Sequence, residues 1–311
     1  MWRYLVKAAI SAVLIWLLVR NRDLGGLASE VLAVNPLPLT VAAVVLFALL
    51  LPQALRWSAV LEAMGHPRCL RISLPLTMIG LFFSQTLPTS IGGDGMRAWE
   101  LHRDGLALSS AVSSVLIDRA AGLAGICLLV TATFPLLLGL VPDPAVETGV
   151  ALLLVAGYGG IAVAMLFDQL PYRLWRFRVV RGVAGLSTQL RAVLLTPRPA
   201  LIALGTSLVY QVGTVGAVVA LARGLRIPVD LTACLVIVPI ANLATVLPIS
   251  ISGWGVREGA FVAGFSLVGV AASDAIALSV LFGLLTMLVG VAGGLVWLAR
   301  YGRRSRADDG S

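Results

Sequence analysis

Arg97 and Arg257 stand in nearly identical sequence surroundings, and that setting is typical of an anion receptor. Residues 87–97 read LPTSIGGDGMR and residues 247–257 read LPISISGWGVR, so seven of eleven positions are identical. Each copy ends in one of the two arginines. Proline and glycine interrupt a helix, and the helix that follows begins with unpaired N–H groups and partial positive charge. An arginine at such a start can bind a phosphate or another anion.

The composition is that of a membrane protein. Of the 311 residues, 59% are hydrophobic and 12% are charged, and the mean hydropathy is +0.97. A water-soluble domain cannot bury that much apolar surface, whereas the hydrocarbon core of a bilayer accepts it. The net charge of +8 lies mostly on arginines in short linkers beside apolar spans. That placement indicates topology determinants and contacts with anionic lipid, so nucleic acid is not an expected partner.

At membrane depth, backbone groups freed by proline and glycine must face protein or a wet cavity, because lipid cannot satisfy them. The glycines would also let backbone N–H groups approach a ligand closely. The alternative is a pair of tight turns whose arginines reach out to headgroups. Two copies ending in arginine favour a functional site, since charges inside a membrane usually mark a pathway. The predicted ligand-binding residues are Arg97, Arg257, Gly92, Gly93, Gly253, Gly255, Ser90 and Ser250, and the predicted helix breakers are Pro88 and Pro248.

Five further charged residues are predicted to pair with these arginines or to gate a path past them. They are Asp94, Glu100, Asp118, Arg119 and Glu258. An unpaired buried charge is costly, which favours pairing over the alternative that one carboxylate carries a proton. Asp118 and Arg119 are adjacent on a predicted helix and point in different directions, so one of them could reach the motif. The alternative for this pair is a polar position near the cytoplasmic interface.

Catalytic, metal and cofactor chemistry is not indicated. The three cysteines, Cys69, Cys127 and Cys234, are scattered and are interpreted as small apolar fillers. His66 and His102 are too few and too far apart in the sequence to suggest a metal pair. The sequence contains no serine–histidine–aspartate, cysteine–histidine or metal-ligand constellation. No catalytic residue, metal or cofactor is therefore expected, which favours a transporter over an enzyme.

The apolar segments predict an all-α polytopic bundle of about six full transmembrane helices and two broken hairpins. The predicted full spans are residues 2–19, 38–59, 106–140, 145–167, 199–222 and 273–298. A basic amphipathic linker at about 172–196 is predicted to lie flat on the membrane surface. Residues 301–311 form a basic tail that is predicted to be disordered.

Arginine placement also predicts an orientation. The positive-inside rule puts the linker, the tail and both chain termini in the cytoplasm, within a single transmembrane domain at 1–300. The first hairpin then enters from the cytoplasm and the second enters from the opposite face. This arrangement predicts an inverted repeat, with repeat 1 at about 38–140 and repeat 2 at about 199–298.

Three motifs together resemble a known family. They are LPxSIGGDxxR at 87–97, DRxxG at 118–122 and LPISIxGxGVREG at 247–259. The combination is similar to the lysylphosphatidylglycerol synthase transmembrane family, also called flippase-like, and the similarity extends over nearly the whole chain. The second motif departs from the family at Ser252 and Trp254, where glycine and a small or aliphatic residue are more usual.

The resemblance implies a stand-alone membrane domain without the aminoacyl-transferase domain of the best-known members. Those members move an aminoacylated lipid between leaflets, while other relatives are linked with polyprenyl-linked sugars, hopanoid pathways or glycosyl transfer. The resemblance therefore implies an integral protein of the bacterial cytoplasmic membrane that translocates an anionic or zwitterionic lipid. Its expected partners are a membrane phospholipid or a polyprenyl-linked lipid and, in addition, a separate lipid-modifying enzyme. The alternatives are a membrane-embedded glycosyl or headgroup transferase and a non-transporting partner subunit of such an enzyme.

Overall fold

The protein is all-α in the part of the chain that its computed structural model describes. The described residues are 36–87, 92–169, 178–246 and 255–308, without the side chains of 178–184 and 302–308. The helices are α1 (Pro36–Ala48), α2 (Leu50–Ala63), α3 (Leu70–Thr86), α4 (Gly92–Arg103), α5 (Leu108–Leu140), α6 (Pro144–Leu166), α7 (Arg178–Leu195), α8 (Pro197–Gly224), α9 (Leu231–Thr245), α10 (Val256–Ser266) and α11 (Ala272–Asp308).

Five helical segments of the described chain are long and apolar enough to cross a membrane. They are Pro36–Ala63, Leu108–Leu140, Pro144–Gln169, Pro197–Gly224 and Ala272–Tyr301. The predicted class, an all-α polytopic membrane protein, is confirmed. The sixth predicted span, residues 2–19, lies outside the described residues.

The first of these segments is interrupted at Leu49, between the end of α1 and the start of α2. Pro52 explains the break, because it has no N–H to donate to the carbonyl of Ala48 one turn earlier. Between α5 and α6, Asp143 caps the start of α6, and its side chain accepts a hydrogen bond from the N–H of Ala145 at 2.8 Å. The predicted spans 106–140 and 145–167 are therefore separated by a break that proline and an N-cap stabilise.

Two pairs of shorter helices lie between the long ones. Helix α3 packs against α4, and α9 packs against α10. Each pair flanks one copy of the duplicated motif. The predicted helix breakers Pro88 and Pro248 lie outside the described residues, as do Ser90, Ser250 and Gly253. We call the two pairs hairpin 1 (α3–α4) and hairpin 2 (α9–α10).

The order of helices repeats along the chain. Helices α1 and α8 begin at Pro36 and Pro197, and helices α3 and α9 begin at Leu70 and Leu231. The two intervals are equal, so the first half of the chain and the second half are in register. The long helix after each hairpin packs against the first helix of the other hairpin: α5 contacts α9, and α11 contacts α3. The two halves therefore cover one another.

The contact between α11 and α3 is unusually close. A Cβ added to Gly293 would overlap the backbone carbonyl of Met78, and one added to Gly294 would lie 2.8 Å from the ring of Phe82. Small residues let helix backbones approach in a membrane, where apolar surface alone gives no preference for protein over lipid. Glycine at these positions therefore fixes α11 against hairpin 1.

Ion pairs join helix ends at one face of the bundle. Arg198, at the start of α8, lies 3.7 Å from Glu62, at the end of α2. Arg300, late in α11, lies 3.5 Å from Glu100 near the end of α4 and also pairs with Asp104. Glu100, predicted to pair with a motif arginine or to gate a path, is thus in an ion pair with Arg300 near the end of its helix.

Two peripheral segments of the described chain are helical. Helix α7 buries Leu190 and Val193 in a core cluster formed with neighbouring helices, so this part of its apolar face packs on protein rather than on lipid. Helix α11 continues to Asp308, where the sequence predicted a disordered tail from 301. Arginine and alanine favour helix, and basic residues near a C-terminus complement the helix dipole, which explains the extension.

Candidate functional site

The two hairpins and the long helices border one cavity with a volume of about 320 Å³. Hairpin 1 contributes the end of α3, and hairpin 2 contributes the end of α9 and the start of α10. The lining residues are Leu46, Leu49, Leu50, Gln53, Leu81, Ser84, Gln85, Arg119, Ile126, Tyr210, Gln211, Thr214, Asn242, Thr245, Val246, Arg257, Phe282, Thr286 and Val289. Both halves of the chain's repeat therefore meet at a single space.

The cavity lies near the middle of the long helices. Every long segment that lines it does so close to its own midpoint. The lining positions are 46–53 in Pro36–Ala63, 119–126 in Leu108–Leu140, 210–214 in Pro197–Gly224 and 282–289 in Ala272–Tyr301. Because a helix rises by a constant amount per residue, these positions are roughly equidistant from the two ends of each segment.

A fully buried carboxylate, Asp118 on α5, ties three helices together beside the cavity. Arg56 of α2 donates from Nε to its Oδ1 at 2.7 Å, and Arg97 of α4 donates from Nη2 to its Oδ2 at 2.9 Å. The guanidinium of Arg97 also lies over the ring of Trp57, 4.1 Å from the ring centroid. Both oxygens of Asp118 thus accept charge-assisted bonds, which offsets the cost of burying the carboxylate.

The neighbouring residue, Arg119, forms a second ion pair between α5 and α4, in which the arginine belongs to α5 and the carboxylate to α4. It donates to Asp94 through two nitrogens, with distances of 2.8–3.1 Å. Helices α4 and α5 are therefore linked by two crossed ion pairs, Arg97–Asp118 and Asp94–Arg119. The sequence indicated that one of the adjacent residues could reach the motif, and in the structure both do.

Two glycines give the buried arginines room. A Cβ at Gly80 would lie 2.5 Å from Cδ of Arg97, so a larger residue would collide with the arginine stem. A Cβ at Gly122 would lie 3.1 Å from Nη1 of Arg56. The glycine of the DRxxG motif therefore faces the second arginine that binds the motif's own aspartate.

Predicted residues Gly92 and Gly93 begin α4, and Gly93 sets how closely α4 approaches α3. A side chain at Gly93 would overlap Ser84 and the carbonyl oxygen of Gly80. The glycine therefore acts in helix packing.

In hairpin 2, Gly255 precedes α10 with a φ of +88°, a conformation that favours glycine. Its N–H donates to Glu258 at 2.5 Å, which satisfies one of the unpaired donors at the helix start. Glu258 also pairs with Arg257 at 2.7 Å, so both residues are buried as a neighbouring ion pair. The second motif arginine is thus held within its own helix.

The repeat extends to the residue that each motif arginine contacts on the following long helix. Arg97 meets Asp118, and Arg257 donates from Nε to the hydroxyl of Ser279 at 3.1 Å. Ser279 follows Asp118 by the same interval that separates the start of α8 from the start of α1. A hydroxyl thus replaces the carboxylate in the second half, and Glu258 supplies the negative charge.

The charges around the cavity are unequal. In the first half, three arginines (Arg56, Arg97 and Arg119) share two carboxylates, Asp94 and Asp118. In the second half, the Arg257–Glu258 pair is balanced. Among the described residues that line the cavity, arginine is the only charged type. The wall is therefore electropositive and rich in neutral amides and hydroxyls.

The structure divides the predicted ligand-binding residues into two groups. Arg257 lines the cavity, whereas Arg97 is 4% exposed and is held in the ion cluster behind the wall. Arg119, which the sequence assigned to pairing or gating, borders the cavity with 53% of its side chain exposed. In the first half, Arg119 therefore occupies the position that the sequence assigned to Arg97.

Several wall residues had no sequence signal. Gln53, Tyr210, Gln211 and Asn242 lie within apolar segments, and the side chain of Asn242 donates to that of Gln211 at 3.3 Å. Arg56 lies near the end of the predicted span 38–59, and it is buried because α2 continues to Ala63. Polar residues within a membrane helix mark the interior or a wet cavity.

The described residues contain no group of three or more histidine, cysteine or acidic side chains that could hold a metal ion. No curated protein matches the chain. A family model, lysylphosphatidylglycerol synthase TM region, matches residues 4–294. That match covers both hairpins, the crossed ion pairs and every cavity-lining residue, and the chain therefore belongs to the lysylphosphatidylglycerol synthase TM region family.

Proposed function

We propose that this membrane protein translocates a lipid between leaflets by passing its charged headgroup through the cavity between the hairpins. The observation that carries this proposal is an electropositive cavity near the midpoint of the long helices. The headgroup would move through this polar space while the acyl chains stay in the bilayer. Arg257 and Arg119 bind the headgroup in this scheme, and Arg97 holds Asp118 in the supporting ion cluster.

The expected electrostatic gain is large enough to matter. At an effective dielectric constant of about 20, an anion about 4 Å from an arginine gains about 4 kcal/mol. Placing a charged side chain at the centre of a membrane helix costs roughly 3 kcal/mol on insertion scales. One cavity arginine therefore offsets a penalty of the size that an anionic headgroup meets when it leaves water.

Two observations support an inverted repeat with hairpins entering from opposite faces. The Glu62–Arg198 pair brings the end of α2 next to the start of α8. The Glu100–Arg300 pair brings the base of hairpin 1 next to the end of α11. Hairpin 2 follows the far end of α8 and precedes the far end of α11. In this scheme the base of hairpin 1 faces the cytoplasm.

Native and introduced cysteines test this topology. Cys69 is exposed at the base of hairpin 1, while Cys127 and Cys234 are buried. We expect an impermeant maleimide to label Cys69 only from the cytoplasmic side. In a Cys69→Ser background, Ala271→Cys at the base of hairpin 2 should be labelled only from the opposite side. Labelling of both positions from one side would rule out the inverted arrangement.

Leaflet exchange tests the transport activity. Purified protein is reconstituted in liposomes with acyl-labelled anionic phospholipid, and dithionite quenching reports exchange. Arg257→Ala and Arg119→Ala should each slow exchange at least about tenfold, given that about 1.4 kcal/mol corresponds to a factor of ten. Arg198→Ala is the matched control, because this side chain is 80% exposed and lies outside the cavity.

A paired variant separates loss of function from loss of folding. Arg257→Ala leaves Glu258 buried without its partner, so Arg257→Met combined with Glu258→Gln removes both charges together. Each variant must elute like the unsubstituted protein in gel filtration before its exchange rate is compared. Exchange that survives all cavity substitutions at the rate of Arg198→Ala would refute the cavity as the path.

A further inference from the structure

The neutral part of the cavity wall is rich in groups that both donate and accept hydrogen bonds. These are the side chains of Gln53, Gln85, Gln211, Asn242, Thr245 and Thr286. Amides and hydroxyls match the hydroxyls of a polyol, which likewise donate and accept. They come from five helices, α2, α3, α8, α9 and α11, so they surround the space rather than forming one polar face.

The charged residues of the described wall are two arginines. Arg119 and Arg257 line the cavity, and their carboxylate partners Asp94 and Glu258 are not among the described lining residues. Both carboxylates already accept bonds from those arginines. A primary ammonium group in the cavity would thus meet two guanidinium groups and no available carboxylate on the described wall.

From this pairing of hydroxyl-matching amides with arginines, we propose that the cavity is specific for an anionic phosphodiester headgroup bearing neighbouring hydroxyls, and that it disfavours aminoacylated, cationic headgroups. This inference rests on the proposed function, because it names the lipid class that the same cavity would carry. The phosphodiester would bind at Arg119 and Arg257. The hydroxyls would exchange hydrogen bonds with the amides, of which Gln211 and Asn242 already bond to each other at 3.3 Å.

The experiment compares four phospholipids that carry the same acyl-chain label, in proteoliposomes of the full-length protein. Phosphatidylglycerol and phosphatidylinositol share the hydroxylated anionic chemistry and separate a glycerol source from a cyclic polyol source. Phosphatidylethanol has the same negative charge without a hydroxyl. Lysylphosphatidylglycerol has a net positive headgroup. We expect exchange of at least one hydroxylated anion to be about tenfold faster than exchange of the last two, a difference of about 1.4 kcal/mol.

Gln211→Glu provides a charge test within the wall. Its carboxylate can still accept the bond from Asn242 but adds a negative charge to the cavity. This substitution should slow exchange of phosphatidylglycerol and speed exchange of lysylphosphatidylglycerol, and Gln53→Glu should shift the preference in the same direction. Gln169→Glu is the matched control, since Gln169 is exposed and lies outside the cavity, and it should leave the preference unchanged.

The outcomes distinguish the specificity from the transport activity. Exchange of both phosphatidylglycerol and phosphatidylinositol at the rate of phosphatidylethanol would overturn the role of the hydroxyls. Fastest exchange of lysylphosphatidylglycerol, or preferences unmoved by both added carboxylates, would overturn the role of charge. In all of these cases lipid exchange itself would stand. If no lipid exchanges faster than in protein-free liposomes, the proposed function fails along with the specificity.

Discussion

Replacing Asp118 with asparagine should destabilise the protein more than any other single conservative change near the cavity. The substitution keeps the size of the side chain but removes the charge that Arg56 and Arg97 share. Asp118 has no exposed surface, and both of its oxygens are bonded to guanidinium nitrogens at 2.7 and 2.9 Å. Asparagine offers only one acceptor oxygen, so one of the two arginines loses its bond to residue 118.

The expected magnitude follows from this geometry. Breaking a buried ion pair by removing one partner typically costs about 3–5 kcal/mol, because the remaining charge is left buried without compensation. Here one substitution removes the carboxylate that two arginines share, and these arginines are 6% and 4% exposed, which puts the expected cost within that range. For a protein of this size, about 1 kcal/mol corresponds to about 2 °C in Tm, so the Tm should fall by about 6–10 °C.

Thermal unfolding in detergent, followed by intrinsic tryptophan fluorescence, measures this shift. Trp57 lies directly over the affected arginine and provides a local probe. Asp143→Asn is the control, because asparagine caps a helix about as well as aspartate and this residue is exposed. Its Tm should change by no more than about 1 °C, in line with the roughly 0.5 kcal/mol limit for surface substitutions.

A double variant sharpens the test. Arg97→Met removes one of the two cations, so combining it with Asp118→Asn should cost less than the sum of the two single changes, with a coupling of about 1–3 kcal/mol. A Tm shift below about 2 °C for Asp118→Asn, or strict additivity in the double variant, would refute the claim that this carboxylate holds the three helices together.

Three further outcomes follow from the described geometry. Gly255→Ala should destabilise the protein by about 1–2 kcal/mol because Gly255 has a positive φ. Gly259→Ala, inside α10, has open space for the added methyl group and should be neutral or stabilising. Thermal unfolding in detergent measures both changes. Gly293→Ala should lower the Tm, because a methyl group would push α11 away from the backbone of α3, at a cost of about 1–3 kcal/mol; an unchanged Tm would contradict the close contact. Arg119→Lys retains its charge but loses the two-nitrogen fork to Asp94, and it should slow liposome lipid exchange roughly tenfold; exchange at the full rate would show that the fork is dispensable.

The duplicated motif predicted most of the architecture that surrounds the site. Helices α4 and α10 begin at Gly92 and directly after Gly255, as expected where glycine interrupts an apolar segment. The long helices also lie close to their predicted spans, because runs of apolar residues determine them almost directly. Periodicity and helix-breaking residues are local properties, so the sequence contains them.

Side-chain direction could not be predicted in the same way. Which of Arg97 and Arg119 faces the cavity depends on how far α4 and α5 are rotated about their axes, and that rotation is set by contacts across the bundle. The crossed ion pairs that Asp94 and Asp118 form are therefore determined by tertiary packing. The amides of the wall were missed for the same reason, since a glutamine in an apolar run has no local feature that identifies its neighbours.

The reciprocal covering of the hairpins has a consequence for how the chain can be divided. Helix α11 packs against hairpin 1, and α5 packs against hairpin 2. A fragment that ends between α6 and α8 would therefore lack the helix that covers its own hairpin. Expressed alone, either fragment would expose to lipid the hairpin face that the other half covers in the intact chain. Expressed together, the fragments would dock through the contacts between α5 and α9 and between α11 and α3, without a covalent link between the halves.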